Sequence, residues 1–395
     1  MALDTLKKID EAVKERPGEL AKARENGANV VGWFNYNIPE EIIHALGLIP
    51  VRLGKGGDDR LVEIGARYIS TKNCVFVRES VGLFAENQDP YIKNTDMVAI
   101  DATCLQMYRM AELIKYYFKV NTVILGVPRN FYLPEGQEYF WKELEAFTHR
   151  LEEFSGNKLD KNKLAESIKL YNGIRKAIGK LYRYQAAVDA PIKWREVFDV
   201  IHAGYYLDRE QYFSLLQELL KELKEKHGAP VTAKLNGDAR ILLSGSIIPP
   251  GDSKLLDIIE QVGGRIVGDD LWSGLSPFLH VDIKEPSIKG IADAYINRVP
   301  HAALPYLDLK TDRRLKNLKK QIHDQKAQGV IYHTLRYCDP FTFKAGETKD
   351  VLKKEGIPLL EIHTEYARSD IEAIRTRAEA FVEMIRNKHD REVEA

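Results

Sequence analysis

The sequence predicts an α/β protein with two doubly wound parallel-sheet domains, Rossmann- or flavodoxin-like, and a helical segment between them. Buried strand patterns alternate with helical patterns near both ends of the 395-residue chain, which is typical of parallel sheets with right-handed crossovers. Between about residues 135 and 226, long helical patterns follow one another without a strand. We therefore expect an N-terminal helix (1–28), a first α/β domain (29–134), a helical segment (135–235) and a second α/β domain (236–395).

The first domain begins after a polar helical pattern that covers residues 2–26. Pro39 begins a short helix, with Glu40 and Glu41 at its positive end, and Gly47 ends it. A further helix is expected over about 105–118. The apolar runs of this domain predict strands at 30–36, 48–53, 97–103 and 122–127.

The middle and the last part of the chain differ in pattern. Helices are predicted in the middle at 136–155, 160–188, 193–202 and 209–226, and a charged connector at 226–237. Strands are then predicted at 239–245, 265–268, 329–337 and 357–362. The accompanying helices are predicted at 254–262, 311–327, 339–354 and 369–388.

Composition excludes several classes of protein. Lys+Arg and Asp+Glu are 58 each, so nothing in the net charge favours nucleic acid or an anionic membrane as a partner. The N-terminus lacks the apolar stretch of a signal peptide, and no apolar run is long enough to span a bilayer. We expect a soluble, cytoplasmic protein that binds neither nucleic acid nor membranes.

The three cysteines, Cys74, Cys104 and Cys338, are the most informative residues. Cys104 and Cys338 each follow a predicted strand and precede a helix, and Cys74 stands where a loop gives way to a helix. Ligands of open parallel sheets collect at the carboxyl ends of the strands, so these thiols can converge. Three converging thiolates with one open position describe a substrate-accessible iron–sulfur cluster.

Two other interpretations of the cysteines start from the same residues. Free cysteine often behaves as a small buried hydrophobic residue, and the chain contains no C-x-x-C pair of the ferredoxin or zinc-ribbon kind. On this interpretation the protein is a non-enzymatic α/β binding module. A disulfide is disfavoured by the odd number of cysteines and the absence of a secretion signal.

Several motifs resemble one family in order along the chain. The segment Val31–Leu53 is similar to the first strand–helix–strand unit of the benzoyl-CoA reductase/2-hydroxyacyl-CoA dehydratase family of iron–sulfur subunits. Tyr337-Cys-Asp-Pro-Phe341, followed by Gly356–Ile362, resembles its C-terminal signature, and Cys74 and Cys104 fall where its first two cluster cysteines are expected. The resemblance extends from about residue 30 to residue 388.

The resemblance implies the cofactor, the reaction and the partners. Each such subunit carries one 4Fe–4S cluster, here on Cys74, Cys104 and Cys338, with the fourth iron left to substrate, water or another ligand. An ATP-hydrolysing iron–sulfur activator protein injects an electron, and a homologous second subunit, or a second copy of the chain, completes the enzyme. The substrate is an acyl-CoA under anaerobic conditions. The enzyme is expected to remove water from a 2-hydroxyacyl-CoA through a ketyl radical. The alternative is that this chain is the small subunit of an enzyme that reduces the ring of benzoyl-CoA.

This chain departs from the family pattern at two places. Leu105-Gln106 follow the second cysteine where relatives often carry an acid, and residues 298–303 contain no cysteine where many relatives have one or two. Since no cysteine is spare, a double cubane held within one subunit is not expected.

Three residues are candidate catalytic groups: Tyr36, Glu40 and Glu41. Tyr36 follows the first strand, between Asn35 and Asn37, where a side chain can approach the open iron or bind substrate; a turn with capping polar groups is the alternative. Glu40 and Glu41 can include a proton acceptor, although first-turn acids often only complement the helix dipole. Arg78, close to Cys74, can balance cluster charge or hold a CoA phosphate, or form a surface ion pair.

Overall fold

A computed structural model of the chain describes residues 3–187, 190–230, 239–304 and 312–394, with side chains as far as residue 387. The described residues form two four-stranded parallel sheets and many helices. The predicted α/β class, with two sheets separated in sequence by helices, is therefore confirmed.

The first sheet lies in the N-terminal part of the chain. Its strands are β1 (Val30–Phe34), β2 (Ile49–Arg52), β3 (Met97–Asp101) and β4 (Thr122–Leu125). They are all parallel, in the order β2-β1-β3-β4. The helices of this part are α1 (Asp4–Glu25), α2 (Glu40–Ala45), α3 (Asp59–Gly65), α4 (Val75–Glu86), α5 (Pro90–Lys93) and α6 (Leu105–Tyr117).

Four long helices form the middle of the chain, as predicted: α7 (Pro134–Ser155), α8 (Lys161–Gln185), α9 (Trp194–Ala203) and α10 (Arg209–His227). Asp160 and Asp208 begin α8 and α10 by accepting hydrogen bonds from backbone N–H groups of the first turn. The predicted connector beyond α10 falls largely on residues 231–238, which lie outside the described part of the chain.

The second sheet repeats the arrangement of the first. Its strands are β5 (Ala239–Gly245), β6 (Gly264–Asp269), β7 (Gly329–Leu335) and β8 (Leu359–Thr364), parallel and in the order β6-β5-β7-β8. The helices are α11 (Lys254–Gln261), α12 (Ile288–Asn297), α13 (Arg313–Asp324), α14 (Asp339–Lys354) and α15 (Ile371–Glu394). In both sheets the strand order reverses beside the first strand, which is where doubly wound folds bind their ligands.

Helix α8 packs against both sheet-containing parts. Ser167 donates a hydrogen bond to the carbonyl of Glu41 in α2 (3.0 Å), and Asn172 donates to the carbonyl of Ile283 (2.9 Å). At its other end, Gln185 donates to the carbonyl of Val267 in β6 (2.6 Å). The helical segment thus joins the two parts, although the exact domain boundaries at 28, 134 and 235 stay a prediction.

The carboxyl ends of the two sheets face each other. The backbone N–H of Gly56, after β2, donates to the carbonyl of Pro250, after β5 (3.0 Å). The N–H of Val75 donates to the carbonyl of Arg336 (3.4 Å). Loops that follow strands of different sheets are therefore in direct contact.

Three helices lie in segments for which we predicted none: α3, α5 and α12. The first two are short, with seven and four residues, so neither gives an extended apolar period. Several strands also end one or two residues earlier than predicted. No helix among the described residues is long and apolar enough to cross a membrane.

Candidate functional site

Each of the three cysteines stands directly before the first residue of a helix. Cys74 precedes α4, Cys104 precedes α6 and Cys338 precedes α14. Cys104 and Cys338 enter their helices from β3 and β7, the strands at which the two sheets reverse order. The positions predicted from the sequence are thus found, at three helix N-termini where partial positive charge favours thiolates.

The structure brings the three thiols together. Interaction with Cys338 lowers the pKa of Cys74, and interaction with Cys74, together with burial, raises the pKa of Cys338 well above its usual range. Burial raises the pKa of Cys104 to about 11, and the negative charge of Cys74 adds to this. The charge of Cys104 in turn acts on Cys338.

Backbone N–H groups of each helix start point to the sulfurs. Those of Val77 and Phe76 lower the pKa of Cys74, those of Met107 and Gln106 oppose the shift of Cys104, and that of Phe341 opposes the shift of Cys338. Such hydrogen bonds stabilise sulfur that carries negative charge.

The three thiols remain the candidate ligands for the predicted cluster. Among the described residues, no group of three or more His, Cys, Asp or Glu side chains is placed to hold one metal ion. In a cluster each thiolate binds a different iron, so the ligands need not meet at one point. Three thiols at three helix N-termini, with N–H groups aimed at the sulfurs, provide the donors that a cluster requires.

Tyr36 is buried rather than in an open turn. Its hydroxyl donates to the carbonyl of Val299, and its ring lies under the guanidinium of Arg298, 3.7 Å from ring centre to Cζ. Its backbone N–H donates to Asp101 at the end of β3 (2.9 Å). Burial raises the pKa of Tyr36, so the phenol stays protonated at neutral pH.

The two candidate acids are both paired with arginines. Glu41 is fully buried, forms an ion pair with Arg175 of α8 and accepts a hydrogen bond from the Tyr295 hydroxyl (2.9 Å). Glu40 forms an ion pair with Arg209 and accepts from the hydroxyl of Tyr171 (3.2 Å). Both carboxylates thus contact helices of the middle segment, beyond what complementing the dipole of α2 requires.

An aromatic cluster separates Tyr36 from Cys338. His301 contacts the rings of Tyr36, Trp272 and Phe341, at centroid distances of 6.0, 5.7 and 5.1 Å. Phe341 lies in the first turn of the helix that Cys338 begins. Burial lowers the pKa of His301 to about 3, with Arg298 contributing, so the imidazole is neutral. His301 lies in the segment 298–303 that has no cysteine in this chain.

Arg78 is buried, and its Nε donates to the carbonyl of Asn73 (3.2 Å), so the surface ion pair that we considered is wrong. Its positive charge lowers the pKa of Cys74. Asn35 and Tyr337 have positive φ angles of 76° and 63°. Such strained backbone is common at functional sites, and here it occurs directly before Tyr36 and Cys338.

Two buried arginines of the site were not predicted. Arg52 and Arg298 both line a cavity of about 70 Å³ next to Tyr36 and Glu40. One signal was present for Arg52: it is a charged residue within the apolar run Leu48–Leu53, which we predicted as a buried strand. For Arg298 no periodic pattern marked the position.

The chain is similar to subunits of known enzymes. A family model described as "2-hydroxyglutaryl-CoA dehydratase, D-component" matches residues 35–385. A benzoyl-CoA reductase subunit of Thauera aromatica is 24% identical over 368 residues, which cover 92% of this chain and 93% of that protein.

Both subunits of one dehydratase are similar to the chain. The (R)-phenyllactyl-CoA dehydratase beta subunit of Clostridium sporogenes is 23% identical, covering 91% of this chain and 93% of that subunit. The alpha subunit of the same enzyme is 22% identical, covering 88% of this chain and 86% of that subunit. The relatives are thus subunits of enzymes, and homologous subunits occur in pairs.

Proposed function

This chain belongs to the 2-hydroxyglutaryl-CoA dehydratase D-component family, and from that membership we propose that it is the 4Fe–4S subunit of a radical enzyme acting on CoA thioesters. It is a subunit of a dehydratase- or reductase-type enzyme, so the non-enzymatic binding module is set aside. The proposed reaction is the dehydration of a 2-hydroxyacyl-CoA, started by one electron from an ATP-hydrolysing activator protein.

The observation that carries the proposal is the convergence of Cys74, Cys104 and Cys338 at three helix N-termini. A cluster bound there would supply a low-potential electron to the thioester. The chain's own residues would hold the three sulfurs and stabilise their negative charge with backbone N–H groups; Cys74 is buried, and Cys104 and Cys338 are partly buried. Arg78 adds a buried positive charge beside Cys74.

Tyr36, Glu40 and Glu41 stay candidate groups with different proposed roles. Tyr36 is a protonated phenol next to the His301 cluster, so we propose that it orients a ligand near the cysteines rather than accepting a proton. Glu40 lines the cavity beside Tyr36 and is the better candidate proton acceptor. Glu41 is committed to Arg175 and Tyr295, and we propose that it positions α2.

Reduction of an aromatic ring is the second candidate function. The benzoyl-CoA reductase subunit matches this chain at 24% identity, close to the 23% of the phenyllactyl-CoA dehydratase beta subunit. The two activities separate in one assay: 2-hydroxyacyl-CoA and benzoyl-CoA are offered in parallel to the purified enzyme with its activator.

Anaerobic purification followed by a visible spectrum and iron analysis tests the cluster. We expect a brown protein with about four irons per chain, as one 4Fe–4S cluster requires. A colourless chain without iron, even after anaerobic reconstitution with iron and sulfide, would overturn the proposal.

Reconstitution of activity tests the partners. We expect no turnover of acyl-CoA by this chain and the activator alone, and turnover once a homologous second subunit is added. Turnover without the second subunit would indicate that two copies of this chain suffice. The pairing of homologous alpha and beta subunits in a relative supports the heterologous arrangement.

A further inference from the structure

The cavity beside Tyr36 and Glu40 lies between the first sheet, α8 and the start of α10. Its volume is about 70 Å³. A site for one water needs about 10–15 Å³ on this measure, so the cavity has room for a small molecule of roughly five or six non-hydrogen atoms. Much of the wall is aromatic or aliphatic, but four arginines also line it: Arg52, Arg175, Arg209 and Arg298.

Two of these arginines are neutralised and two are not. Arg175 pairs with Glu41, and Arg209 pairs with Glu40. Arg298 instead donates to neutral acceptors, the carbonyl of Tyr36 and the amide oxygen of Asn37.

Arg52 is enclosed by aromatic rings. Its Cζ lies 4.1 Å from the ring centre of Tyr205 and 5.2 Å from those of Trp33 and Trp272. Ring faces attract a guanidinium, yet they do not neutralise its charge, and none of these rings carries a carboxylate.

Both of these arginines line the cavity and are almost wholly buried. Arg52 is 5% and Arg298 4% exposed. Nη2 of Arg52 and Nε of Arg298 have no hydrogen-bond partner within the described residues. A buried donor without an acceptor costs about 1–3 kcal/mol, and more when the group is charged. Neither guanidinium forms an ion pair within the described residues, so an anion in the cavity would compensate two buried positive charges.

The nearest other carboxylates are already engaged. Asp101 accepts from the N–H groups of Tyr36 and Thr103 and from the side chain of Asn35. Asp269 accepts from the hydroxyl of Tyr182, from Trp194 Nε1 (2.8 Å) and from the N–H of Leu275 (2.9 Å). Neither lines the cavity, whose wall therefore carries more positive than negative charge.

We propose that this cavity binds a short aliphatic monocarboxylate, with its carboxylate on Arg52 and Arg298. A guanidinium edge matches a planar carboxylate with two parallel hydrogen bonds. The remaining wall suits a short hydrocarbon chain, since Ile38, Ile174, Ile201 and Phe278 line it. A whole CoA thioester is far larger than the volume. The cavity reaches none of the three helix starts that carry the cysteines, so binding of a monocarboxylate there does not require the cluster.

Calorimetric titration of the full, anaerobically purified chain with propionate tests the proposal. Propionamide, which has the same shape without the charge, is the matched control ligand, and inorganic phosphate tests for a general anion site. We expect saturable binding of one propionate per chain and no saturable binding of propionamide. Absence of propionate binding at millimolar concentration, an equal response to propionamide, or preferential binding of phosphate would each overturn the proposal.

Variants of Arg52 locate the binding. Arg52→Met is expected to weaken propionate binding at least tenfold. Arg52→Lys should weaken it less, because lysine keeps the positive charge but lacks the planar pair of N–H donors of the guanidinium. Arg60→Met, at an exposed arginine paired with Glu86, is the control and should bind as the parent does. Thermal denaturation of each variant, with and without propionate, shows whether it is folded. Unchanged propionate binding by folded Arg52→Met would contradict the proposal that the carboxylate binds to Arg52. If this variant does not fold, the titrations of the parent chain with propionate, propionamide and phosphate test the proposal.

Discussion

Cys338 and Cys74 interact with each other, although the two cysteines begin helices that accompany different sheets. The adjacent backbone repeats the link, since the N–H of Val75 donates to the carbonyl of Arg336. The candidate cluster site therefore exists only where the two sheet-containing parts are docked, and neither part contains all three thiols.

The first prediction concerns Cys338. Replacement by alanine should lower the iron content of anaerobically purified protein severalfold, while the far-UV circular dichroism stays that of the parent. The residue is only partly buried and lies between the end of β7 and the start of α14, so the core loses little packing. Iron analysis and the visible spectrum provide the measurement.

The matched control lies on the same helix. Phe343, which is 79% exposed, can be replaced by alanine without touching the thiols. Iron content equal to the parent in Phe343→Ala and reduced in Cys338→Ala is the expected result. Equal iron in all three proteins would refute the role of Cys338.

The second prediction concerns the buried pair Glu41–Arg175. Glu41→Gln should lower the free energy of unfolding by about 3–5 kcal/mol, because it leaves a buried guanidinium uncompensated. Arg175 is 9% and Glu41 0% exposed at the side chain. Denaturant unfolding of the parent and variant measures the difference.

A double-mutant cycle with Arg175→Met separates the pair from other effects. The double variant should lose less stability than the sum of the single variants, because no unpaired charge remains. Additive losses would show that Glu41 and Arg175 are not coupled, and would return Glu41 to the candidate proton acceptors.

The order of strands and helices was predictable because apolar residues recur with a different period in each kind of element. The positions of the cysteines followed from that order. Cys104 and Cys338 were placed correctly because a thiol that follows a buried strand and precedes a helix lies at the carboxyl edge of a parallel sheet. The partners of Glu41 and Glu40 were not predictable, since Arg175 and Arg209 lie on α8 and α10, far away in sequence. His301 and Arg298 were missed for a similar reason: their environment is created by side chains from several separate elements.

The third prediction concerns pH and Glu79. Burial raises the pKa of this carboxyl to about 9, and the charges of Asp58 and Asp252 add to the shift. Between pH 5 and 8 the folded chain keeps this proton while the unfolded chain, with a pKa near 4.5, releases it. Folding stability therefore falls as pH rises through this window, by up to about 1.4 kcal/mol per pH unit for this one group.

Glu79→Gln should remove this contribution, so that the variant gains stability over the parent as the pH is raised from 5.5 to 8. Denaturant unfolding at both pH values measures it. Glu86→Gln, on the same helix α4, is the control: Arg60 lowers the pKa of Glu86, so its carboxyl is ionised in both states throughout the window. A parent and Glu79→Gln that change in parallel with pH would rule out the buried, protonated acid.

The last prediction concerns the packing of α3 on α4, the helix that Cys74 begins. A Cβ atom at Gly82 would lie 2.0 Å from the backbone carbonyl oxygen of Leu61, and a backbone atom cannot rotate away. Gly82→Ala should therefore push the helices apart and destabilise the protein by about 1–3 kcal/mol or more. Because α4 also carries Cys74, iron content should fall together with stability.

Gly179 in α8 provides the opposite case with the same substitution. A Cβ there meets no atom within 4 Å, so Gly179→Ala should stabilise the protein by about 0.5–1 kcal/mol through the higher helix propensity of alanine. Thermal unfolding of the two variants, with iron analysis of each, compares them directly. A Gly82→Ala variant as stable and as iron-rich as Gly179→Ala would show that α3 and α4 are not packed backbone to backbone, and that the position of Cys74 does not depend on their contact.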